Sequence, residues 1–169
     1  MEACIIIINE GHDKYMGYAF SNKANKKSYK GGNIPIFKTS NNQLIGVTGS
    51  EALLTTLKIN PILLSNNNTI ETNINLIRSG LLYKEWRGKP EVIILTSNNY
   101  VYRYKKGVIN IFNEIEEPYM AFGKGSDIAL GALYGVQSSR FSTSERVEIS
   151  LKTVIRFYPE LNNTGYFNL

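Results

Sequence analysis

The chain has 169 residues, a length typical of one domain and sufficient to bury a full hydrophobic core. Its 43% hydrophobic and 20% charged residues are ordinary for a globular protein and argue against intrinsic disorder. Cys4 is the only cysteine and His12 the only histidine, which excludes an intrachain disulfide, a cysteine-rich zinc site and a multi-histidine metal centre. We therefore expect one domain over residues 1–169, with no metal and no cofactor.

The net charge is +5, and part of the excess lies in a loop rich in Ser, Asn and Gly. The lysines of this loop are Lys23, Lys26, Lys27 and Lys30. A solvated loop is the favoured interpretation. The alternative is a patch that contacts a phosphate backbone, but no aromatic-rich recognition motif supports a nucleic-acid partner.

Targeting signals are absent from the sequence pattern. No apolar run approaches the roughly 20 residues that span a bilayer. The first residues lack the basic segment and the long apolar stretch of a signal peptide. We expect a cytoplasmic protein, or one within a larger assembly in a host cytoplasm, with no membrane partner.

The first 48 residues predict four strands from their apolar runs and the polar turns between them. These strands cover residues 3–8, 15–20, 34–38 and 43–48. The first is an unbroken apolar run that suits burial on both faces. His12 lies in the turn after the first strand, where a catalytic role is not favoured. The pattern predicts a β-meander for this quarter of the chain.

After the first four strands, the predicted elements come in blocks of helices and blocks of strands. Ser50 can cap a helix that runs to about residue 58, and an amphipathic stripe predicts a long helix over residues 69–87. Further strands are predicted at 91–96, 100–104, 108–112, 119–122 and 166–169, and helices after Gly125 and from about residue 144 to Pro159. Blocks of strands and blocks of helices disfavour a doubly wound parallel sheet. The expected fold is α+β: a four-layer αββα sandwich of two antiparallel sheets with a helix pair on each outer face.

Five short motifs follow one another along the chain: Tyr18-Ala19-Phe20-Ser21, Pro35-Ile36-Phe37-Lys38, Ile45-Gly46-Val47-Thr48-Gly49, Ala121-Phe122-Gly123-Lys124-Gly125-Ser126 and Thr164-Gly165. In this order they resemble proteasome β subunits and the bacterial peptidase HslV, which are N-terminal-nucleophile (Ntn) hydrolases. Each is weak alone, and their order and spacing over nearly the whole chain carry the resemblance. It implies the four-layer Ntn fold and assembly into rings.

The catalytic residues of that family are largely missing. The resemblance implies an N-terminal threonine as nucleophile and base, with an aspartate and a lysine that tune it. Here the nucleophile position falls at Ala3 or Cys4, the aspartate position at Phe20, and the lysine position at Pro35 or Ile36. Loss of both charged partners should remove most of the pKa tuning of a terminal amine.

Cys4 is the one residue that could serve as the nucleophile of an active enzyme. A thiol needs less activation than a hydroxyl, but a free amine at Cys4 requires removal of the three residues before it. Lys124 replaces the serine of the family's Gly-Ser-Gly turn and could lower the pKa of a thiol, and Ser126 is retained. The candidate catalytic residues are therefore Cys4, Lys124 and Ser126. A small hydrophobic residue at the start of a buried strand is the favoured interpretation of Cys4.

Three functions remain open from the sequence. We expect a non-catalytic ring-forming or scaffold protein that is a homo-oligomer or part of a ring-shaped complex with protein partners. The alternatives are an Ntn peptidase or amidohydrolase that uses Cys4, and a basic nucleic-acid-associated protein. A phosphate site at Gly123–Ser126 and a cation site at the acidic cluster Glu114, Glu116 and Glu117 are not favoured, because a turn and a solvated loop explain them. Trp86 is interpreted as a packing or subunit-contact residue.

Overall fold

The computed structural model describes residues 1–21, 33–59, 90–105 and 108–169. Three predictions lie outside the described residues: the lysine-rich loop, the amphipathic helix at 69–87, and the contact role of Trp86.

Nine strands in the described part of the chain form two antiparallel sheets. The strands are β1 (Ala3–Glu10), β2 (Asp13–Phe20), β3 (Ile36–Lys38), β4 (Leu44–Thr48), β5 (Glu91–Leu95), β6 (Tyr100–Lys105), β7 (Val108–Asn113), β8 (Tyr119–Gly123) and β9 (Asn163–Asn168). The first sheet has the order β8-β1-β2-β9, and the second has the order β3-β4-β5-β6-β7.

The β-meander predicted for the first four strands is wrong. β2 pairs with β1 and β9, whereas β3 pairs with β4 in the other sheet. The reason is the burial of β1, whose residues 3–9 are all buried. Such a strand needs apolar layers over both faces as well as neighbours at both edges, so β3 and β4 belong to a sheet that lies across it.

Three helices are present in the described residues, and local sequence fixes their starts. They are α1 (Glu51–Ile59), α2 (Ser126–Gly135) and α3 (Thr143–Phe157). The Ser50 hydroxyl accepts the amide of Leu53 at 3.1 Å, which confirms the predicted cap of α1. α3 begins one residue before its predicted start, because Ser142 and Glu145 form a reciprocal capping box.

Three hydrophobic cores separate four layers. Alternate residues of β1 show the arrangement: Ile5 and Ile7 lie in the core between the sheets, whereas Ile6 and Ile8 lie in the core under α2 and α3. A third core, with Leu53 of α1, lies on the outer face of the second sheet. The described residues thus form helices, sheet, sheet and helix in succession, which confirms the α+β sandwich.

Candidate functional site

The resemblance places the family's nucleophile at Ala3 or Cys4, its acid at Phe20 and its lysine at Pro35 or Ile36, and all of these except Cys4 have hydrocarbon side chains. Ala3 is the register partner of Phe20 across β1 and β2. Ala3, Phe20 and Ile36 all belong to the core between the sheets and are at most 5% exposed. Pro35, the other candidate for the lysine position, is buried, and its carbonyl accepts the amide of Val47 at 2.9 Å. None of these four side chains can take or release a proton.

Cys4 faces away from these positions. Successive side chains of a strand point to opposite faces, so Cys4 lies in the core under α2 and α3 while Ala3 faces the second sheet. The thiol is fully buried, and this burial raises its pKa to about 12. Since the thiolate is the nucleophile, the thiol is held in its unreactive form near neutral pH.

Lys124 is engaged by carboxylates. Its Nζ lies 2.6 Å from Glu160 Oε1 and 3.0 Å from Glu2 Oε2, and 5.4 Å from the ring centre of Tyr158. The hydrogen bond to Glu160, followed by that to Glu2, raises the pKa of the amine. Lys124 is therefore a cation that pairs with two acidic side chains.

The glycine-rich turn places Lys124 and Ser126 beside the start of β1. Gly123 is the register partner of Cys4, and the Lys124 amide donates to the Ala3 carbonyl at 2.9 Å. Gly123 and Gly125 have φ values of 83° and 77°, a left-handed conformation that glycine adopts without strain. Ser126 is the half-buried first residue of α2. The turn thus brings Lys124 close to Cys4 along the backbone, while its ammonium is directed to Glu2 and Glu160.

The two residues before Ala3 are built into the fold. The Met1 carbonyl accepts the Gly49 amide at 3.3 Å, and the Glu2 carbonyl accepts the Ser21 amide at 3.1 Å. The Met1 side chain packs against the core under α1. Removal of residues 1–3, which exposure of a Cys4 amine requires, would break these contacts as well as the ion pair of Glu2 with Lys124.

An ion-paired group at the same end of the sheets was not predicted. Glu91 is the register partner of Thr48 on one side and of Lys105 on the other. Its carboxylate is 7% exposed and accepts hydrogen bonds from Arg103, at 3.0 Å, and from Lys105. Arg103 also lies over the ring of Phe122, 5.4 Å from its centre. The Glu91 carboxylate therefore forms structural ion pairs with two cations. A glutamate at the start of an otherwise apolar buried strand was the signal that could have revealed it.

The remaining candidates lie in the connections between strands. His12 is exposed in the β1–β2 turn, as predicted. The Glu114 carboxylate accepts the Gly11 amide at 2.8 Å, and the described residues contain no group of three or more potential metal ligands. Within the described residues, no helix combines the length and the apolar character that crossing a membrane demands.

The chain has the proteasome/HslV-type fold of Ntn hydrolases, which confirms the prediction made from the motifs. BPH from Thiobacillus denitrificans superimposes with a TM-score of 0.73 at 15% identity, over 98% of this chain and 97% of BPH. Its complex with epoxomicin gives a TM-score of 0.68, also at 15% identity and over the same shares of the two chains. HslV from Trypanosoma brucei gives a TM-score of 0.73 at 12% identity, over 98% of this chain and 99% of HslV.

The sequence has diverged strongly from these structures. No protein-family model matches the chain, and no curated protein matches it in sequence. Likeness at 12–15% identity establishes the fold, and function has to be argued from the residues at the site.

Proposed function

We propose that this chain, as one domain over residues 1–169, is a non-catalytic ring-forming or scaffold protein of the proteasome/HslV-like fold. The observation that supports the proposal is the packing of Ala3, Phe20 and Ile36, which stand where the resemblance places catalytic residues, as apolar side chains between the sheets. Chemistry of the family type needs a nucleophile with a nearby base and charged groups that tune both. Apolar side chains packed between the sheets supply none of these functions.

The environment of Cys4 also supports a non-catalytic protein over an Ntn hydrolase. Its thiol is buried on the opposite face of β1 from Phe20 and Ile36, with a pKa raised to about 12. Lys124, the cation that could lower that pKa, already pairs with Glu2 and Glu160. A catalytic Cys4 would therefore need a rearranged strand start as well as a cleaved chain.

Assembly is proposed from the resemblance and from exposed apolar side chains. Proteasome-type subunits form rings, and this chain exposes several large apolar residues at the ends of its helices. Ile59 at the end of α1 is 72% exposed, and Phe157 at the end of α3 is 65% exposed. α1 and α3 cover opposite outer faces of the sandwich, so each of these two residues is available for a separate contact with a neighbouring protein.

Sedimentation velocity combined with a peptide-hydrolysis assay tests the proposal. We expect an assembly several times heavier than the 19.0 kDa chain, and no hydrolysis above the buffer rate by that assembly. A monodisperse monomer at high concentration, with no partner recovered, would contradict the assembly. Peptide hydrolysis that disappears in Cys4→Ala would contradict the non-catalytic part and support the hydrolase.

A further inference from the structure

β7 is an edge strand of the second sheet in the described part of the chain. Among the described residues it pairs only with β6, and it ends the second sheet. Its six residues, VINIFN, include no charged residue and no proline. Natural proteins often protect an exposed edge with charged residues or proline, because unpaired backbone groups are a template for another strand. The strand itself has neither kind of protecting residue.

Apolar side chains accompany the open edge. Val108 is 57% exposed and Ile111 is 46% exposed. Ile115, just beyond the strand, is 88% exposed on a well-defined turn. The Asn113 side-chain oxygen accepts the amides of Ile115 and Glu116, both at 3.0 Å, which fixes that turn. The edge therefore presents apolar surface on a rigid support.

Charge is distributed along β7 with opposite signs at its two ends. Lys105 precedes the strand, whereas Glu114, Glu116 and Glu117 follow the strand. The pairing of Lys105 with Glu91 leaves this end positive, because Glu91 is shared with Arg103. Two copies of β7 side by side in parallel would bring like charges together. Antiparallel copies would place each acidic end beside the partner's basic end.

We propose that β7 pairs antiparallel with β7 of a second copy of this chain, which joins the second sheets of the two copies. The contact is isologous, with the same surface used by both copies about a twofold axis. Successive backbone amides point to opposite sides of a strand, so the axis passes through a residue pair at the strand centre, at Asn110 or Ile111. This interface goes beyond the proposed function, because a twofold contact doubles whatever assembly the other contacts build.

Ile111→Lys tests the interface by placing a charge on the edge. We expect the native mass to halve relative to wild type, whether wild type is a dimer or a pair of stacked rings. The matched control is Thr164→Lys, which adds the same charge to the exposed face of β9, an edge strand of the first sheet. It should leave the mass unchanged. A wild-type monomer, or an assembly that resists Ile111→Lys or responds equally to both substitutions, would overturn the proposal.

Cross-linking tests the same contact without disturbing it. Asn110→Cys places an exposed thiol near the proposed axis, and Thr164→Cys is the control. The buried Cys4 should contribute no background in the native protein. With a short bis-maleimide we expect covalent dimers from Asn110→Cys and none from Thr164→Cys. Equal yields from both variants, or no dimer from Asn110→Cys, would refute β7 pairing even if Ile111→Lys misfolds. A wild-type dimer that passes both tests would support the edge contact while excluding a ring.

Discussion

Arg146→Met should lower the free energy of unfolding by about 3 kcal/mol near neutral pH, as expected when one partner of a buried ion pair is removed. The Arg146 side chain is 9% exposed, and its Nη2 lies 2.9 Å from Glu10 Oε2. Its Nη1 also donates to the Tyr119 hydroxyl at 2.9 Å, and Nη2 to the Thr143 hydroxyl at 3.1 Å. The guanidinium thus joins the first turn of α3 to the end of β1 and the start of β8. Methionine can fill the volume but leaves the Glu10 carboxylate and the Tyr119 hydroxyl without this donor.

The pH dependence separates this ion pair from simple packing. The hydrogen bond from Arg146 lowers the pKa of Glu10 against the opposing effect of burial. A lowered folded-state pKa stabilises the protein above the usual glutamate pKa, and the stabilisation is lost as pH falls through the folded value. Urea unfolding should therefore show a wild-type advantage over Arg146→Met that is largest near neutral pH and shrinks in acid.

Lys152→Met is the matched control, since it removes one positive charge from an exposed position of the same helix. It should change stability by no more than about 0.5 kcal/mol. A loss in Arg146→Met that equals the control, or that stays constant down to acid pH, would show that the ion pair contributes little.

Gly123→Ala is the second substitution with a large expected effect. Gly123 has a φ of 83°, and an added Cβ would lie 2.1 Å from the Ala3 carbonyl oxygen. The left-handed conformation and the backbone clash together should cost about 3 kcal/mol. Chemical denaturation monitored by circular dichroism would measure the loss. The result bears on the candidate site, because it reports how closely the glycine-rich turn is held against the start of β1.

Gly131→Ala provides the comparison. Gly131 lies within α2, and an added Cβ there would meet nothing within 4 Å. Alanine is preferred over glycine in a helix, so this variant should gain up to about 1 kcal/mol. A Gly123→Ala loss below about 1 kcal/mol would contradict the close approach of the turn to β1.

Much of the fold could be predicted because its signals are local. The unbroken isoleucines of β1, the serine cap of α1 and the apolar stripe of α3 each specify their element within a few residues. β9 begins at Asn163, three residues earlier than predicted. The sequence did not indicate this start, because Asn163 and Gly165 are poor strand formers. Glycine fits the strand at position 165 because there is no room for a side chain: an added Cβ would lie 2.5 Å from the Tyr18 hydroxyl.

The Arg146 network could not be predicted because its members are far apart in the chain. Glu10, Tyr119 and Arg146 meet only when β1, β8 and α3 are assembled. The Glu91 ion pair is more local, because Glu91 and Arg103 lie on consecutive paired strands, and the glutamate at the start of an apolar strand was the signal for it. The side to which Cys4 points was also beyond the sequence. A shift of one residue in the alignment exchanges the two faces of a strand, and only the structure shows that Ala3 faces the second sheet.

The proposal that this chain performs no N-terminal chemistry of the family type is tested most directly by the intact mass of the native protein after incubation with a thiol-reactive electrophile. We expect a single species that keeps the residues before Ala3 and carries no adduct. After denaturation the same chain should gain one adduct at Cys4, which shows that the reagent is competent. A native species that begins at Cys4 and is labelled there faster than a Lys124→Ala variant would contradict the non-catalytic interpretation.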